Sequence, residues 1–217
     1  MNKVVTRGIS GTVFILVMLA GLLIDKYVFT ALLLFICGGM LYEFVKLSGK
    51  AAYLPIGIVY IIASVSLIYR LGFPGGEFSG LLILAFFIII WSSDVGAFCV
   101  GSLFGQKEGS RKLAPSISPN KSWIGFWGGL AFSVVAAVIL HFNLLSAIPL
   151  VHCLVLAVLV HCAGVCGDLL ESLWKRRCGA KDSGNIIPGH GGLLDRFDSS
   201  LAAFPVGGLY LLIFKLL

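Results

Sequence analysis

The residues best suited to chemistry lie in two polar stretches near the end of the sequence. In the first, Asp168, Glu171, Ser172 and Lys175 are spaced by three and four residues, so on a helix they form one polar stripe. A solvated helix face would give the same spacing. Because Asp168 and Glu171 directly follow an apolar run, however, we expect the stripe to face a ligand or a polar partner.

The second stretch is a glycine-rich loop, residues 181–192, which leads into the last apolar segment. Glycines let a backbone approach a ligand closely, and the first amides of a helix attract anions, so phosphate is the predicted guest. Asp195 and Asp198 would lie in the first turn of that helix, where they suit the helix dipole but repel a phosphate that arrives alone. A divalent cation resolves this conflict. The alternative is an ordinary connection followed by a capped helix.

Mg²⁺ is the predicted cation, because it prefers carboxylate and phosphate oxygens. Asp168 and Asp195 are the first choice of ligands, with Asp198 and Asp94 as further ligands or close neighbours. Asp94 lies inside an apolar run, where a carboxylate costs about 2.5 kcal/mol or more unless it meets a polar cavity, a cation or a partner. The alternative interpretation is a carboxylate at a helix end that reaches to the membrane surface or bonds to a neighbouring helix.

A lysine and a hydroxyl precede another apolar run, as Lys121 and Ser122 just before Trp123. Their types suit a clamp for a second phosphate group. An anchor in the lipid headgroup zone, formed by Lys121 and Trp123, explains the same pattern.

The composition indicates that these residues are positioned by membrane helices. Hydrophobic residues make up 59% of the 217 residues and charged residues only 12%, and the mean hydropathy is +1.02. A water-soluble domain of this length could not bury so much apolar surface. The sequence therefore predicts an all-α, polytopic bundle of transmembrane helices in one integral membrane domain, residues 1–217, with the catalytic part mainly in 88–217. A large separate soluble domain is excluded.

About seven membrane spans are predicted from the apolar runs, at residues 8–24, 28–45, 53–69, 79–101, 123–140, 149–167 and 193–214. A broken helix near residues 72–80 would change this count by one. With a cytoplasmic N-terminus, thirteen of the 16 basic residues fall on the cytoplasmic side, as the positive-inside rule requires. The net charge of +6 then belongs to that face, which suits anionic headgroups or phosphorylated substrates.

The run from 172 to 198, S-L-W-K-R-R-C-G-A-K-D-S-G-N-I-I-P-G-H-G-G-L-L-D-R-F-D, resembles the signature of the phosphatidate cytidylyltransferases, also called CDP-diacylglycerol synthases. Further agreement comes from Arg7, from residues 41–44 and 91–98, and from 101–105 and 118–129. Three features depart from the family pattern. Trp174 replaces an aliphatic residue, Ile124 stands where Glu or Gln is expected, and the region 49–79 is short of helices.

The resemblance implies transfer of a cytidylyl group from CTP to phosphatidate, an early step of phospholipid biosynthesis, at the cytoplasmic side of a bacterial inner membrane. Asp168, Lys175, Asp195 and Asp198 would be catalytic, and Mg²⁺ would be paired with a second cation such as K⁺. The substrate-binding set would be Lys121, Ser122, Arg176, Lys181, Asp182, His190, Gly191, Gly192 and Arg196. The implied partners are CTP, phosphatidate and membrane lipids, without nucleic acid, and a homodimer is left open.

Three other interpretations remain open from the sequence, one of which is a catalytically inactive scaffold that the short middle region would allow. A CTP-dependent lipid kinase of the polyprenol type would transfer the γ-phosphate to an alcohol. A cation-coupled transporter could use Asp94 and Asp168 in a polar cavity, although its site residues should lie near the membrane midplane.

Overall fold

The computed structural model describes residues 3–49, 51–107, 109–187, 189 and 191–217. These residues form seven α-helices that match the seven apolar runs one to one, so the predicted helical architecture is confirmed. The helices are α1 (Lys3–Leu23), α2 (Lys26–Ser48), α3 (Leu54–Leu71), α4 (Leu81–Phe104), α5 (Trp123–Asn143), α6 (Leu150–Arg177) and α7 (Leu194–Ile213).

Five of these helices, α2 to α6, are long and apolar enough to cross a membrane. In α1 the apolar part is the shorter stretch Gly8–Leu23, and α7 begins with polar turns that contain Asp195 and Asp198. The protein is therefore a multi-pass membrane protein. Near residues 72–80, where a broken helix was considered, the chain forms a short 3-10 turn at Pro74–Gly76.

A two-stranded antiparallel sheet departs from the all-helical prediction. Strand β1 (Lys112–Ala114) pairs with β2 (Ser118–Ser122), with Lys112 opposite Ser122. The segment between α4 and α5 is too polar to continue either apolar helix, and its backbone groups pair with each other instead. This β-hairpin covers the end of the bundle where α4 ends and α5 begins.

Small residues let the helices pack closely around the polar end of the bundle. A Cβ added to Gly96 of α4 would lie 2.8 Å from the carbonyl oxygen of Gly128 in α5. A Cβ added to Gly167 of α6 would lie 2.6 Å from the carbonyl oxygen of Asp198 in α7. Glycine at these positions therefore brings the backbones of α4 and α5, and of α6 and α7, into contact.

Aromatic packing fixes α7 against α4 deeper in the bundle. The rings of Phe86 and Phe204 stack with their centroids 4.8 Å apart, and Phe87 contacts Phe204 edge to face at 5.1 Å. These buried contacts hold the first turns of α7 at the polar end, beside the last turns of α6.

Candidate active site

A polar cavity of about 650 Å³ opens between α4, α5, α6 and the β-hairpin. Its lining includes Asp94 from α4, Lys121 from β2, Asp168 from α6 and Ser199 from α7. Cavities of several hundred Å³ are typical of small-molecule sites. Residues that are far apart in the sequence therefore meet around one space large enough for a substrate.

An ion pair crosses this cavity from the hairpin to α6. The ammonium group of Lys121 pairs with the carboxylate of Asp168, and the two side chains are 26% and 29% exposed. The neighbouring Ser122 is buried and caps α5, where its hydroxyl accepts a hydrogen bond from the amide of Gly125 at 3.1 Å. The structure thus places both predicted phosphate-clamp residues at the cavity, and Ser122 has a structural contact there as well.

The predicted polar stripe on α6 is confirmed, because the helix extends to Arg177. Ser172 donates a hydrogen bond to Asp168 at 3.3 Å. Lys175 lies 3.3 Å from a carboxylate oxygen of Glu171 and donates to Oδ1 of Asp195 at 2.7 Å. The stripe therefore faces a polar partner, the first turn of α7.

Asp195 joins α6 to the glycine-rich loop. Its side chain is 7% exposed, and its Oδ2 accepts hydrogen bonds from the amides of Ser183 at 2.9 Å and Gly192 at 2.8 Å. Together with the ammonium of Lys175, three N–H donors surround one carboxylate. Asp195 is therefore held as an anion in a fixed position.

Glu43 of α2 completes this arrangement from the other end of the sequence. It is 2% exposed, and its carboxylate accepts hydrogen bonds from the amides of Leu193 at 3.0 Å and Leu194 at 2.9 Å and from the hydroxyl of Ser183 at 2.9 Å. The amides at the start of α7, which were predicted to receive a phosphate, thus already donate to a carboxylate. A phosphate would have to displace Glu43 to use them.

Further carboxylates surround the contact between α6 and α7. The charge of Asp198 interacts with those of Asp168, Glu171 and Asp94. Both side-chain oxygens of Glu171 are buried without a hydrogen-bond partner in the described part of the chain. The carboxylates here therefore outnumber the nearby lysines, Lys121 and Lys175. Like charges at close range repel each other, and a bound cation would relieve this repulsion.

The described residues contain no ready-made cluster of three or more His, Cys, Asp or Glu side chains that could hold a metal ion. Mg²⁺ usually binds one or two carboxylates and completes its shell with waters and substrate phosphates, so individual carboxylates are the candidates. Of the candidates, Asp168 and Asp94 line the polar cavity, and the charge of Asp198 interacts with both. Asp195 is also a candidate, but its carboxylate already has three donors.

The other predicted substrate-binding residues that the structure describes do not line the polar cavity. Arg176 is exposed and donates to the carbonyl of Ala180 at 3.2 Å, and Lys181 and Asp182 are exposed beside it. Arg196 is exposed, and its charge interacts with Asp94. Gly191 adopts a φ of 86°, where a side chain is strained, and its neighbour Gly192 binds Asp195. His190 lies outside the described residues.

A second cavity, of about 310 Å³, lies on the other side of the contact between α6 and α7. Its walls are mostly apolar, with Ile56, Ile61 and Leu170 among them, while Glu171 and Asp198 line its polar end. Residues of α6 and α7 therefore line both cavities, Asp168 and Ser199 the first and Glu171 and Asp198 the second.

Trp174, one of the departures from the expected pattern, lines this second cavity. Its indole N–H donates to the hydroxyl of Ser48 at 2.9 Å, and its ring packs against Phe44 at 4.9 Å between centroids. The larger side chain is accommodated by contacts with α2. Ile124, the other substituted position, is 41% exposed at the start of α5.

The sequence interpretation missed Glu43 and Ser183 as parts of the site. A signal was present, because Glu43 is a carboxylate within the apolar helix α2 and needs a polar partner there. Its partners lie 140 to 151 residues further along the chain, so no local pattern identifies them.

Comparison with known proteins agrees with this geometry. The sequence model of the Cytidylyltransferase family matches residues 51–214. The phosphatidate cytidylyltransferase of Bacillus subtilis is 47% identical over 118 residues, which cover 54% of this chain and 42% of the relative. That of Haemophilus influenzae is 45% identical over 133 residues, covering 59% and 45%.

A relative from Rickettsia bellii, also a phosphatidate cytidylyltransferase, matches almost end to end. It is 34% identical over 221 residues, covering 94% of this chain and 91% of the relative. By contrast, the match spans about half the length of the Bacillus and Haemophilus relatives. The family match, which takes in most of the chain, and the Rickettsia relative together show that this chain belongs to the cytidylyltransferase family.

Proposed function

We propose that the protein is a phosphatidate cytidylyltransferase, which converts CTP and phosphatidate to CDP-diacylglycerol and diphosphate. The observation that carries this proposal is the convergence of Asp94, Lys121 and Asp168 on a polar cavity at one end of a membrane bundle, with Asp198 close enough to Asp168 for their charges to interact. Such a site offers cations and carboxylates to phosphate groups beside a lipid phase. The family membership and the named relatives support the same reaction.

In this reaction a phosphate oxygen of phosphatidate attacks the α-phosphorus of CTP, and the bond from that phosphorus to the β-phosphate oxygen breaks. The attacking phosphate is already an anion at neutral pH, so no strong base is needed. The barrier lies in bringing two polyanions together and in stabilising the charge of the departing diphosphate. Positioned cations are therefore the main requirement for catalysis.

The basic side chains of the site meet this requirement. Lys121, paired with Asp168 inside the polar cavity, would hold one phosphate group there. Arg196 and Lys181, which are exposed, would contact the triphosphate. Lys175 is only 11% exposed and is fixed by Asp195, so it would act on the diphosphate from a constant position.

Mg²⁺ would be held by Asp168 and Asp198, with Asp94 and Asp195 as the remaining candidates, and a second cation such as K⁺ would fit the excess of carboxylates. Bound there, the ion would neutralise phosphate oxygens and polarise the α-phosphorus. The buried carboxylate of Glu171, which lies 3.3 Å from Lys175 and whose charge interacts with that of Asp198, adds to the negative charge that a cation would offset.

The two cavities suggest how the substrates divide. CTP would occupy the polar cavity, and the diacylglycerol part of phosphatidate would enter the apolar cavity walled by Ile56, Ile61 and Leu170. The phosphate of the lipid would then reach the carboxylates and their cation at the α6–α7 contact. Seven membrane crossings with a cytoplasmic N-terminus would place this end of the bundle in the cytoplasm, where CTP is found, and the distribution of basic residues supports that orientation.

Purified protein in detergent micelles, given phosphatidate, Mg²⁺ and CTP labelled either at the α- or at the γ-phosphate, tests the proposal. We expect the α-label to enter the lipid and the γ-label to leave as diphosphate. Transfer of the γ-label to a polyprenol supplied in a parallel reaction would instead show a lipid kinase, and no transfer of either label would refute the proposed activity. Diacylglycerol, which lacks the attacking phosphate, should not accept the α-label.

A further inference from the structure

We propose that Glu43 is a positioning residue that holds Ser183 and the first turn of α7 against α2, and through them fixes Asp195 and Lys175. Its catalytic consequence rests on the proposed function. Its structural consequence can be measured without it.

Glu43 is a buried carboxylate whose oxygens accept three hydrogen bonds. Oε1 accepts from the amide of Leu193 at 3.0 Å, and Oε2 accepts from the amide of Leu194 at 2.9 Å and the hydroxyl of Ser183 at 2.9 Å. Among the described residues no lysine or arginine forms an ion pair with it. A carboxylate at this position satisfies amides that the start of a helix would otherwise leave without acceptors.

The backbone at Gly184 and Gly192 lies very close to this carboxylate. A Cβ added to Gly184 would collide with Oε1 of Glu43, and one added to Gly192 would collide with Oε2 of Glu43 and with the hydroxyl of Ser183. Glycine at both positions lets the backbone come this close without displacing the side chains of Glu43 and Ser183. Two independent features, the donors and the absence of side chains at Gly184 and Gly192, therefore point to the same contact.

Ser183 links Glu43 to Asp195 through hydrogen bonds. Its hydroxyl, which donates to Glu43, also lies 3.3 Å from the amide of Asp195, and its own amide donates to Oδ2 of Asp195 at 2.9 Å. Oδ1 of Asp195 in turn accepts from Lys175 at 2.7 Å. A continuous chain of hydrogen bonds thus runs from α2 through Ser183 and α7 to α6.

The variant Glu43→Gln tests this role with little change of shape. A carboxamide keeps one acceptor oxygen and replaces the other with an NH₂ group, which must face a donor, so at least one of the three donors loses its partner. We expect hydrogen exchange in peptides that contain Ser183, Leu193 or Leu194 to become at least about tenfold faster. Exchange in peptides from α4 and α5 should not change. Glu77→Gln, at an exposed carboxylate in the 3-10 turn region, is the matched control.

Kinetics give the second measurement. Because the loop and α7 carry the residues proposed to contact the triphosphate, Glu43→Gln should raise the KM for CTP at least about fivefold, measured per folded enzyme. Glu43→Asp retains the charge and should recover part of the loss. Glu77→Gln should leave KM unchanged.

Two results would overturn the proposal: exchange at the start of α7 that stays at the wild-type rate in Glu43→Gln, or faster exchange with a wild-type KM for CTP, which would show a contact without influence on the site. If the wild-type protein does not use CTP at all, the proposed function fails, and the exchange experiment still decides the role of Glu43.

Discussion

Replacing Asp195 by asparagine should be among the most damaging conservative changes at the site. The carboxylate accepts hydrogen bonds from Lys175, Ser183 and Gly192 with both of its oxygens. An asparagine has one acceptor oxygen, so it can keep the two backbone amides or the ammonium group, but not all three. The remaining NH₂ group then faces a donor.

The size of the effect follows from burial. The side chains of Asp195 and Lys175 are only 7% and 11% exposed, so water cannot readily replace the lost partner. A hydrogen bond to a charged group contributes about 1.5–3 kcal/mol, and leaving its donor unpaired adds a cost of similar size. A total of about 3 kcal/mol corresponds to roughly a 100-fold loss, because about 1.4 kcal/mol equals a factor of ten. We therefore expect kcat/KM for CTP to fall about 100-fold.

The assay is the transfer of α-labelled phosphate from CTP to phosphatidate by purified Asp195→Asn protein, alongside its thermal unfolding midpoint. Glu77→Gln serves as the control, because that exposed side chain lies away from the site. Activity of Asp195→Asn within threefold of wild type, at an equal unfolding midpoint, would show that the three hydrogen bonds do not hold the site in place.

Three further predictions concern packing, charge and metal. Gly167→Ala should destabilise the protein by about 1–3 kcal/mol, because its Cβ would lie 2.6 Å from the carbonyl oxygen of Asp198. The control is Gly38→Ala, which has open space around it and should leave the unfolding midpoint within a degree or two of wild type or raise it. Equal midpoints for the two variants would contradict the packing argument. Lys121→Met should leave Asp168 without its basic partner and raise the KM for a phosphate-bearing substrate about tenfold in steady-state kinetics, whereas an unchanged KM for both substrates would remove Lys121 from the site. Removing divalent cations with EDTA should abolish transfer while circular dichroism retains the helical signal, and added Mg²⁺ should restore it; full activity in EDTA would refute the metal proposal.

The sequence was sufficient to predict the helices and the polar face that α6 contributes to the site. Long apolar runs interrupted by charged or glycine-rich stretches predict membrane helices, and the spacing of Asp168, Glu171, Ser172 and Lys175 predicts a shared face because a helix repeats every 3.6 residues. Both predictions depend only on residues that are neighbours in the chain, and both were confirmed.

Contacts between distant segments could not be predicted in this way. Nothing local to Glu43 indicates that its partners are Ser183 and Leu193, and nothing local to Lys121 selects Asp168 among the aspartates. The β-hairpin was missed because its strands are three and five residues long, too short for an alternating pattern to stand out. The roles of the aspartates in metal binding stay predictions.

The sequence separation between Glu43 and its partners has a consequence for folding during synthesis and for the choice of truncated fragments. Leu193 is 150 residues further along the chain. During translation α2 is therefore inserted long before the amides that donate hydrogen bonds to Glu43 have been synthesised. Contacts of such high sequence separation form late in folding. The family match begins at residue 51 and so omits Glu43. A fragment designed from that boundary would retain every aspartate proposed to bind the ion and still lack the anchor for its last helix.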